Sequence, residues 1–104
     1  MKKYEKPVSQ SQFEEMVREI TTAKSIQKRV IYHYSYGCGK VTGYRESTGN
    51  SFEIDSGELL KAYNELDYDE LKIKPLKDRY ISGRVQSPAC ALLRELNRET
   101  NKTL

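Results

Sequence analysis

Residues 30–55 read VIYHYSYGCGKVTGYRESTGNSFEID, and this segment decides the fold. It contains three runs with β-branched or aromatic residues, separated by the turn signals Gly37-Cys38-Gly39 and Thr48-Gly49-Asn50. Turns this short place neighbouring strands antiparallel. We therefore predict a three-stranded antiparallel meander, with strands at 30–36, 40–46 and 51–55.

A helix is predicted before the meander. Ser11-Gln12-Phe13-Glu14 has the form of a capping box, with serine as the N-cap and glutamate three residues later. The apolar residues that follow recur at helical spacing and form one stripe: Phe13, Met16, Val17 and Ile20. This stripe predicts a helix that ends near residue 23.

Three helices are predicted after the meander, at 56–66, 75–81 and 87–99. Each has a start signal: a cap at Asp55 or Ser56, a proline at Pro75, and the pair Ser87-Pro88. Residues 67–74 fit either a strand or a helical turn. The fold class is therefore α+β, with an N-terminal helix, the meander and a C-terminal three-helix segment that resembles a helix-turn-helix. We expect one domain over 1–104, frayed at 1–8 and 101–104.

Charge is unevenly distributed along the chain, although the net charge is only +3. Residues 53–70 are predominantly acidic. Residues 72–98 are predominantly basic, with Lys72, Lys74, Lys77, Arg79, Arg84, Arg94 and Arg98. The basic segment predicts a positively charged face in the C-terminal third. The alternative is that the two segments neutralise each other across the fold.

The basic segment and the helical pattern together predict a nucleic-acid interface. In this interpretation the helix that begins at Ser87 enters the major groove of duplex DNA, while Val85, Cys90 and Leu93 pack it onto the earlier helices. The other face of this helix is expected to be exposed. The predicted contacts to DNA are Lys77, Arg79, Arg84, Ser87, Ala91, Arg94 and Arg98. The alternative is a set of helices that only closes a hydrophobic core.

A row of tyrosines lies on one side of the first predicted strand: Tyr32, Tyr34 and Tyr36. Aromatic rings on an open sheet stack against single-stranded bases, so this row is an alternative nucleic-acid surface. We favour the other interpretation, in which the row packs under the helices and its hydroxyls reach the rim of the core.

The sequence contains no arrangement typical of an active site. His33 is the single histidine, and Cys38 and Cys90 match no metal-ligand spacing. Cys38 and His33 lack a third group that would orient a nucleophilic pair. Glu70-Leu71-Lys72 has the spacing of a metal-dependent nuclease motif but does not lie on the third strand. We therefore expect no catalysis, no metal, no cofactor and two free thiols.

The expected compartment is the cytoplasm. No apolar stretch is long enough to span a bilayer, and the N-terminal residues lack the apolar run of a signal peptide, so we expect no membrane contact. Besides nucleic acid, the alternative partner is a protein, or a second copy of the chain in a homodimer. In that case the chain is an accessory or adaptor domain that binds through the acidic segment 53–70 or the tyrosine row.

Overall fold

The structure, a computed structural model, describes residues 5–25, 29–83 and 85–102, without the side chains of 99–102. The N-terminal helix α1 and the sheet comprise α1 (Gln10–Arg18), β1 (Thr22–Lys24), β2 (Ile31–Gly37), β3 (Lys40–Arg45) and β4 (Ser51–Asp55). The C-terminal part comprises α2 (Ser56–Glu65), a 3₁₀ turn (Tyr68–Glu70), α3 (Ile73–Pro75), a π-helical turn (Leu76–Tyr80) and α4 (Gln86–Lys102).

The sheet has four antiparallel strands in the order β1-β2-β3-β4. The predicted α+β class, N-terminal helix, antiparallel sheet and C-terminal helices are confirmed, but the count of three strands is wrong. The additional strand is β1, which pairs Thr22 with His33 and Lys24 with Ile31. These residues were predicted to end the first helix. They are extended because α1 ends at Arg18 and the β-branched pair Thr21-Thr22 favours a strand.

The N-cap of α1 is Ser9 and not Ser11. The Ser9 hydroxyl accepts a hydrogen bond from the Gln12 backbone N–H at 3.2 Å, and the Gln12 side chain accepts one from the Ser9 N–H at 2.9 Å. Val8 and Phe13, at the two positions of a hydrophobic staple, are both buried. Residues 6–8 were predicted to fray, yet Val8 packs into the core and Lys6 Nζ donates to the Leu66 carbonyl at 2.9 Å.

The tyrosine row of β2 faces the helices. Tyr32 and Tyr34 are buried, and Tyr36 is half-buried. The packing interpretation is therefore confirmed, and the alternative of three exposed rings for base stacking is wrong. The ring of Phe52, on β4, lies edge-on to Tyr32 and Tyr34, with centroids 5.9 Å and 5.6 Å away. The whole row contributes to one apolar core.

Helix α4 lies at the centre of that core. It begins at Gln86, one residue before the predicted N-cap Ser87, and continues to Lys102, beyond the predicted end at 99. Its buried residues are Pro88, Ala89, Cys90, Ala91, Leu92, Leu93, Leu96 and Asn97. The predicted short helix at 75–81 is observed as α3 and the π-helical turn. Among the described residues, no helix is both long and apolar enough to cross a membrane.

Candidate functional site

The residues predicted to contact DNA do not form one described surface. Arg84 lies outside the described residues, while Lys77 and Arg79 are exposed on the π-helical turn. Arg79 lines a hollow together with two lysines, Lys72 and Lys74, and three carboxylates: Asp69, Glu70 and Asp78. Cations and carboxylates are equal in number there. Two of these carboxylates come from the acidic segment and Asp78 from the basic segment itself, so the cations at this hollow lie beside an equal number of carboxylates.

Helix α4 exposes only part of the face that was expected to read DNA. Ser87 is exposed, but Ala91 has only 2% of its surface accessible, so its predicted exposure is wrong. The reason is that α4 packs against the sheet on one side and against the other helices on the other side. The sequence signal for this was the run of five apolar residues at 89–93, since a helix that is apolar all round is buried.

Arg94 and Arg98 line a groove of about 420 Å³ between α4 and the edge strand β1. Residues 22–25 form one wall of the groove, and α4 forms the other. Tyr68 also contributes, and the α4 residues are Ala91, Arg94, Glu95 and Arg98. With Lys24, the lining residues include three cations and one carboxylate, so the groove carries a positive charge.

The free edge of β1 opens beside this groove. Two backbone groups that flank β1 bond toward β2: the Thr21 carbonyl accepts from the Tyr34 N–H at 2.9 Å, and the Ser25 N–H donates to the carbonyl of Val30, just before β2, at 2.9 Å. In an antiparallel pair only every second residue bonds to the partner strand through its backbone. Thr22 and Lys24 are the residues between the bonded ones, so they direct their N–H and C=O groups away from β2. Within the described chain, β1 pairs with no strand other than β2. A free sheet edge therefore runs along the groove.

Arg94 is held in place at the groove. Its guanidinium carbon lies 4.3 Å from the centroid of the Tyr68 ring, and its Nη2 donates to the Tyr68 hydroxyl at 2.9 Å. Its Nη1 donates to the Leu71 carbonyl at 3.3 Å. Bonds to described residues thus use two of its five N–H donors. The half-buried guanidinium is oriented and still has donors for a ligand.

Arg98 lies one turn farther along α4 and binds Glu95. Its Nη2 lies 2.6 Å from Glu95 Oε1, and its Nε lies 3.2 Å from Glu95 Oε2. Among the described lining residues the single carboxylate, Glu95, is therefore engaged by Arg98, whereas Arg94 is positioned by a neutral phenol and a carbonyl. Arg94 is the cation in the groove best placed to accept a new carboxylate.

The open face of the sheet has mixed charge. The rings of His33 and Tyr44 are stacked with centroids 4.6 Å apart, and His33 Nε2 lies 3.0 Å from Glu46 Oε1. Lys40 Nζ lies 2.6 Å from Glu53 Oε1, and this bond raises the pKa of Lys40 above its usual value. The carboxylates of Glu46 and Glu53, held close to His33 and Lys40, make this face a weaker candidate for an anionic ligand than the groove.

The two thiols have different environments. Cys38 is exposed in the β2–β3 turn, while Cys90 is buried and its Sγ–H donates to the Leu71 carbonyl at 3.3 Å. Burial raises the pKa of the Cys90 thiol to about 11, which disfavours the nucleophilic thiolate at neutral pH. Among the described residues, no cluster of three or more His, Cys, Asp or Glu side chains is placed to hold a metal ion.

Three of the residues predicted to contact DNA line the groove, namely Ala91, Arg94 and Arg98, and its other lining residues were not predicted. Arg94 and Arg98 were singled out by their charge, whereas Thr22, Lys24 and Tyr68 join them only through the tertiary fold. Comparison of the chain with protein-family models, with curated proteins and with solved structures gives no match.

Proposed function

We propose that this chain is a non-enzymatic binding domain that takes up an extended peptide segment of a protein partner along β1. The observation that supports this is the free edge: Thr22 and Lys24 direct their backbone donors and acceptors into the mouth of the groove. An added peptide strand satisfies such groups with main-chain hydrogen bonds, while pockets beside the edge select its side chains. The partner is a protein, as in the alternative from the sequence, but the proposed site is β1 and not the acidic segment 53–70 or the tyrosine row.

The chemistry of the groove favours a peptide over a nucleic acid. A sheet edge presents donors and acceptors in alternation, which an extended peptide matches, whereas a phosphate backbone offers acceptors only. Duplex recognition through α4 would also require Ala91, which is buried. Nucleic acid stays the competing ligand, because Arg94 and Arg98 both line the groove.

A second copy of the chain fits this edge poorly. Two-fold pairing of β1 with β1 of a second copy would bring the two basic grooves together. The Lys24 side chains of both copies would then lie close to the same strand pair. Like charges placed opposite each other across a strand pair are destabilising. A different protein segment is therefore the better occupant.

The test is selection from a displayed library of random peptides of about ten residues, a length that covers an ordinary strand. Peptides that bind the purified protein are measured against Thr22→Pro, which removes an edge N–H that β2 does not use, and against Thr22→Val, which keeps it. We expect binding to fall about tenfold with proline, because one main-chain bond and the close approach of the strand are lost. Binding to the valine variant should equal that of the wild type.

Two further measurements complete the test. Urea denaturation of both variants shows that they are folded. The comparison is repeated at the second edge-facing residue between Lys24→Pro and Lys24→Gln, which both lose the charge while only the glutamine variant keeps the N–H. Selected peptides that bind proline and valine variants equally, or a library that gives no binder, would overturn the proposal. In parallel, fluorescence anisotropy with duplex and single-stranded oligonucleotides is run at low and moderate salt. Salt-sensitive binding that depends on Arg94 but not on Thr22→Pro would replace the peptide with nucleic acid.

A further inference from the structure

We infer that the segment which adds to β1 is acidic and places a carboxylate on Arg94; this inference rests on the proposed function. The groove beside the edge supplies three cations, of which only Arg98 is bound to a carboxylate of the groove lining. The chemistry of the partner follows from which side chains an added strand would meet.

The pleat of the sheet fixes which side chains of an added strand face α4. On β1, Ala23 is buried against the helices, while Thr22 and Lys24 are exposed on the opposite face. A fifth strand continues this alternation, so every second side chain would point at the α4 wall of the groove. Arg94 and Arg98 lie on that wall, and Lys24 lies on the other face. Cations therefore flank an added strand on both faces.

Arg94 is the residue that selects a carboxylate. A planar guanidinium binds a carboxylate through two parallel hydrogen bonds, and the Tyr68 ring already holds this one in a fixed orientation. Less side-chain entropy is therefore lost when a ligand binds. A neutral segment would cover the guanidinium without pairing it, and a basic segment would add repulsion. A neutral or a basic segment would therefore bind with a less favourable free energy than an acidic segment.

The experiment uses the peptides selected for the proposed function. We expect Asp and Glu to be enriched over Lys and Arg among those whose binding Thr22→Pro weakens. The tightest acidic peptide is then compared with a version in which Asn and Gln replace its acids, using calorimetry with wild type, Arg94→Gln and Arg79→Gln. Arg79→Gln is the matched control, because it makes the same change at an arginine that lines a different hollow.

The expected result is a coupling between Arg94 and the peptide acids. Arg94→Gln should weaken the acidic peptide about tenfold, as for loss of a charge-assisted hydrogen bond, and Arg79→Gln should change nothing. The neutral peptide should bind the wild type about tenfold more weakly and be insensitive to Arg94→Gln. Lys24→Gln, at an exposed side chain, should give a smaller loss of affinity for the acidic peptide.

Failure of this inference is distinguishable from failure of the proposed function. Peptides that require the β1 edge but are neutral or basic, or whose acidic and neutral versions bind alike, would overturn the acidic partner and leave strand addition intact. Peptides that ignore Thr22→Pro would overturn both. Loss of structure in Arg94→Gln is checked by urea denaturation. We expect it to stay folded, because the Leu71 carbonyl keeps its hydrogen bond from Cys90.

Discussion

The hydroxyl of Tyr34, on β2, donates a 2.7 Å hydrogen bond to the carbonyl oxygen of Pro88 in α4. Both residues are buried, and burial raises the pKa of the Tyr34 hydroxyl above its usual value of 10.0. A buried hydrogen bond of this kind cannot be replaced by water when one partner is removed. The contact ties the sheet to the central helix.

Removing this hydroxyl should destabilise the fold. We expect Tyr34→Phe to lower the free energy of unfolding by about 1 kcal/mol, measured by urea denaturation, because the bond is lost from a dry site. The matched control is Tyr32→Phe, since Tyr32 has a similar exposed fraction, while its hydroxyl bonds to no described residue and reaches the surface. Equal effects of the two substitutions would contradict the role of the Tyr34–Pro88 bond.

Stability should fall at alkaline pH. The Cys90 thiol has a pKa of about 11 against an ordinary 9.0, chiefly because of burial, so the folded state holds this proton more tightly than the unfolded chain. The contribution of this proton to the free energy of unfolding is complete below about pH 9 and is lost as the pH rises toward 11. The raised pKa of Tyr34 acts in the same direction above pH 10.

Urea denaturation in steps from neutral to about pH 11 measures this loss. We expect the free energy of unfolding of Cys90→Ala to fall less steeply between about pH 9 and pH 11 than that of the wild type, whatever the effect of the substitution at neutral pH. A Cys90→Ala protein with an unchanged slope would show that the thiol does not contribute to the pH dependence.

A side chain at Gly43 should not be tolerated. A Cβ placed there would lie 1.8 Å from the His33 carbonyl oxygen and 2.8 Å from Phe52 Cζ, so backbone and ring would both have to move. We expect Gly43→Ala to lower the free energy of unfolding by about 2–3 kcal/mol, as overpacking does. Gly37→Ala is the control, because no heavy atom lies within 4 Å of its Cβ position. Its effect should stay within about 1 kcal/mol, and similar losses at both positions would contradict the prediction.

The β2–β3 turn can be improved. Cys38 and Gly39 have φ of +54° and +74°, the pair of positive values that a type I′ turn requires. Asparagine adopts this conformation more readily than cysteine, so Cys38→Asn should raise the free energy of unfolding by about 0.5 kcal/mol. Cys38→Val, with a β-branched side chain, should lower it. A midpoint of urea denaturation that is higher for Cys38→Val than for Cys38→Asn would show that the conformation of this turn does not limit stability.

The sequence predicts the strands β2, β3 and β4 and helix α2 well because their signals are local: alternation, short turns and a cap. It does not predict β1, because three residues are too few to show a period of two. Moreover, Ile20 extends the apolar stripe of α1 and so favours a longer helix.

The start of α1 shows a second limit. Ser9 and Ser11 both stand three residues before a Gln or Glu, so the local pattern allows either as the N-cap. A distant contact decides between them: the Asn64 side chain accepts from the Val8 N–H at 2.8 Å and donates to the Val8 carbonyl at 3.1 Å. This pair of bonds fixes the residue just before Ser9.

The groove is predictable in part. Charge identifies Arg94 and Arg98, but helical periodicity selects one buried face of α4, whereas the fold covers Ala91 as well. The free edge that makes the groove a candidate site depends on β1, and Tyr68 comes from a segment without a clear local pattern. These parts of the site come from tertiary structure and not from local sequence.

The shortness of β1 has a kinetic consequence. Only Thr22 and Lys24 face the edge, so a partner strand gains few main-chain hydrogen bonds, each contributing about 1 kcal/mol net. Four such bonds and the Arg94 contact together amount to at most about 7 kcal/mol, which corresponds to a dissociation constant on the order of 10 μM or weaker. With an ordinary association rate of about 10⁶ M⁻¹s⁻¹, such a complex lasts on the order of 0.1 second or less. The partner would be exchanged repeatedly rather than retained, so occupancy would follow its concentration from moment to moment.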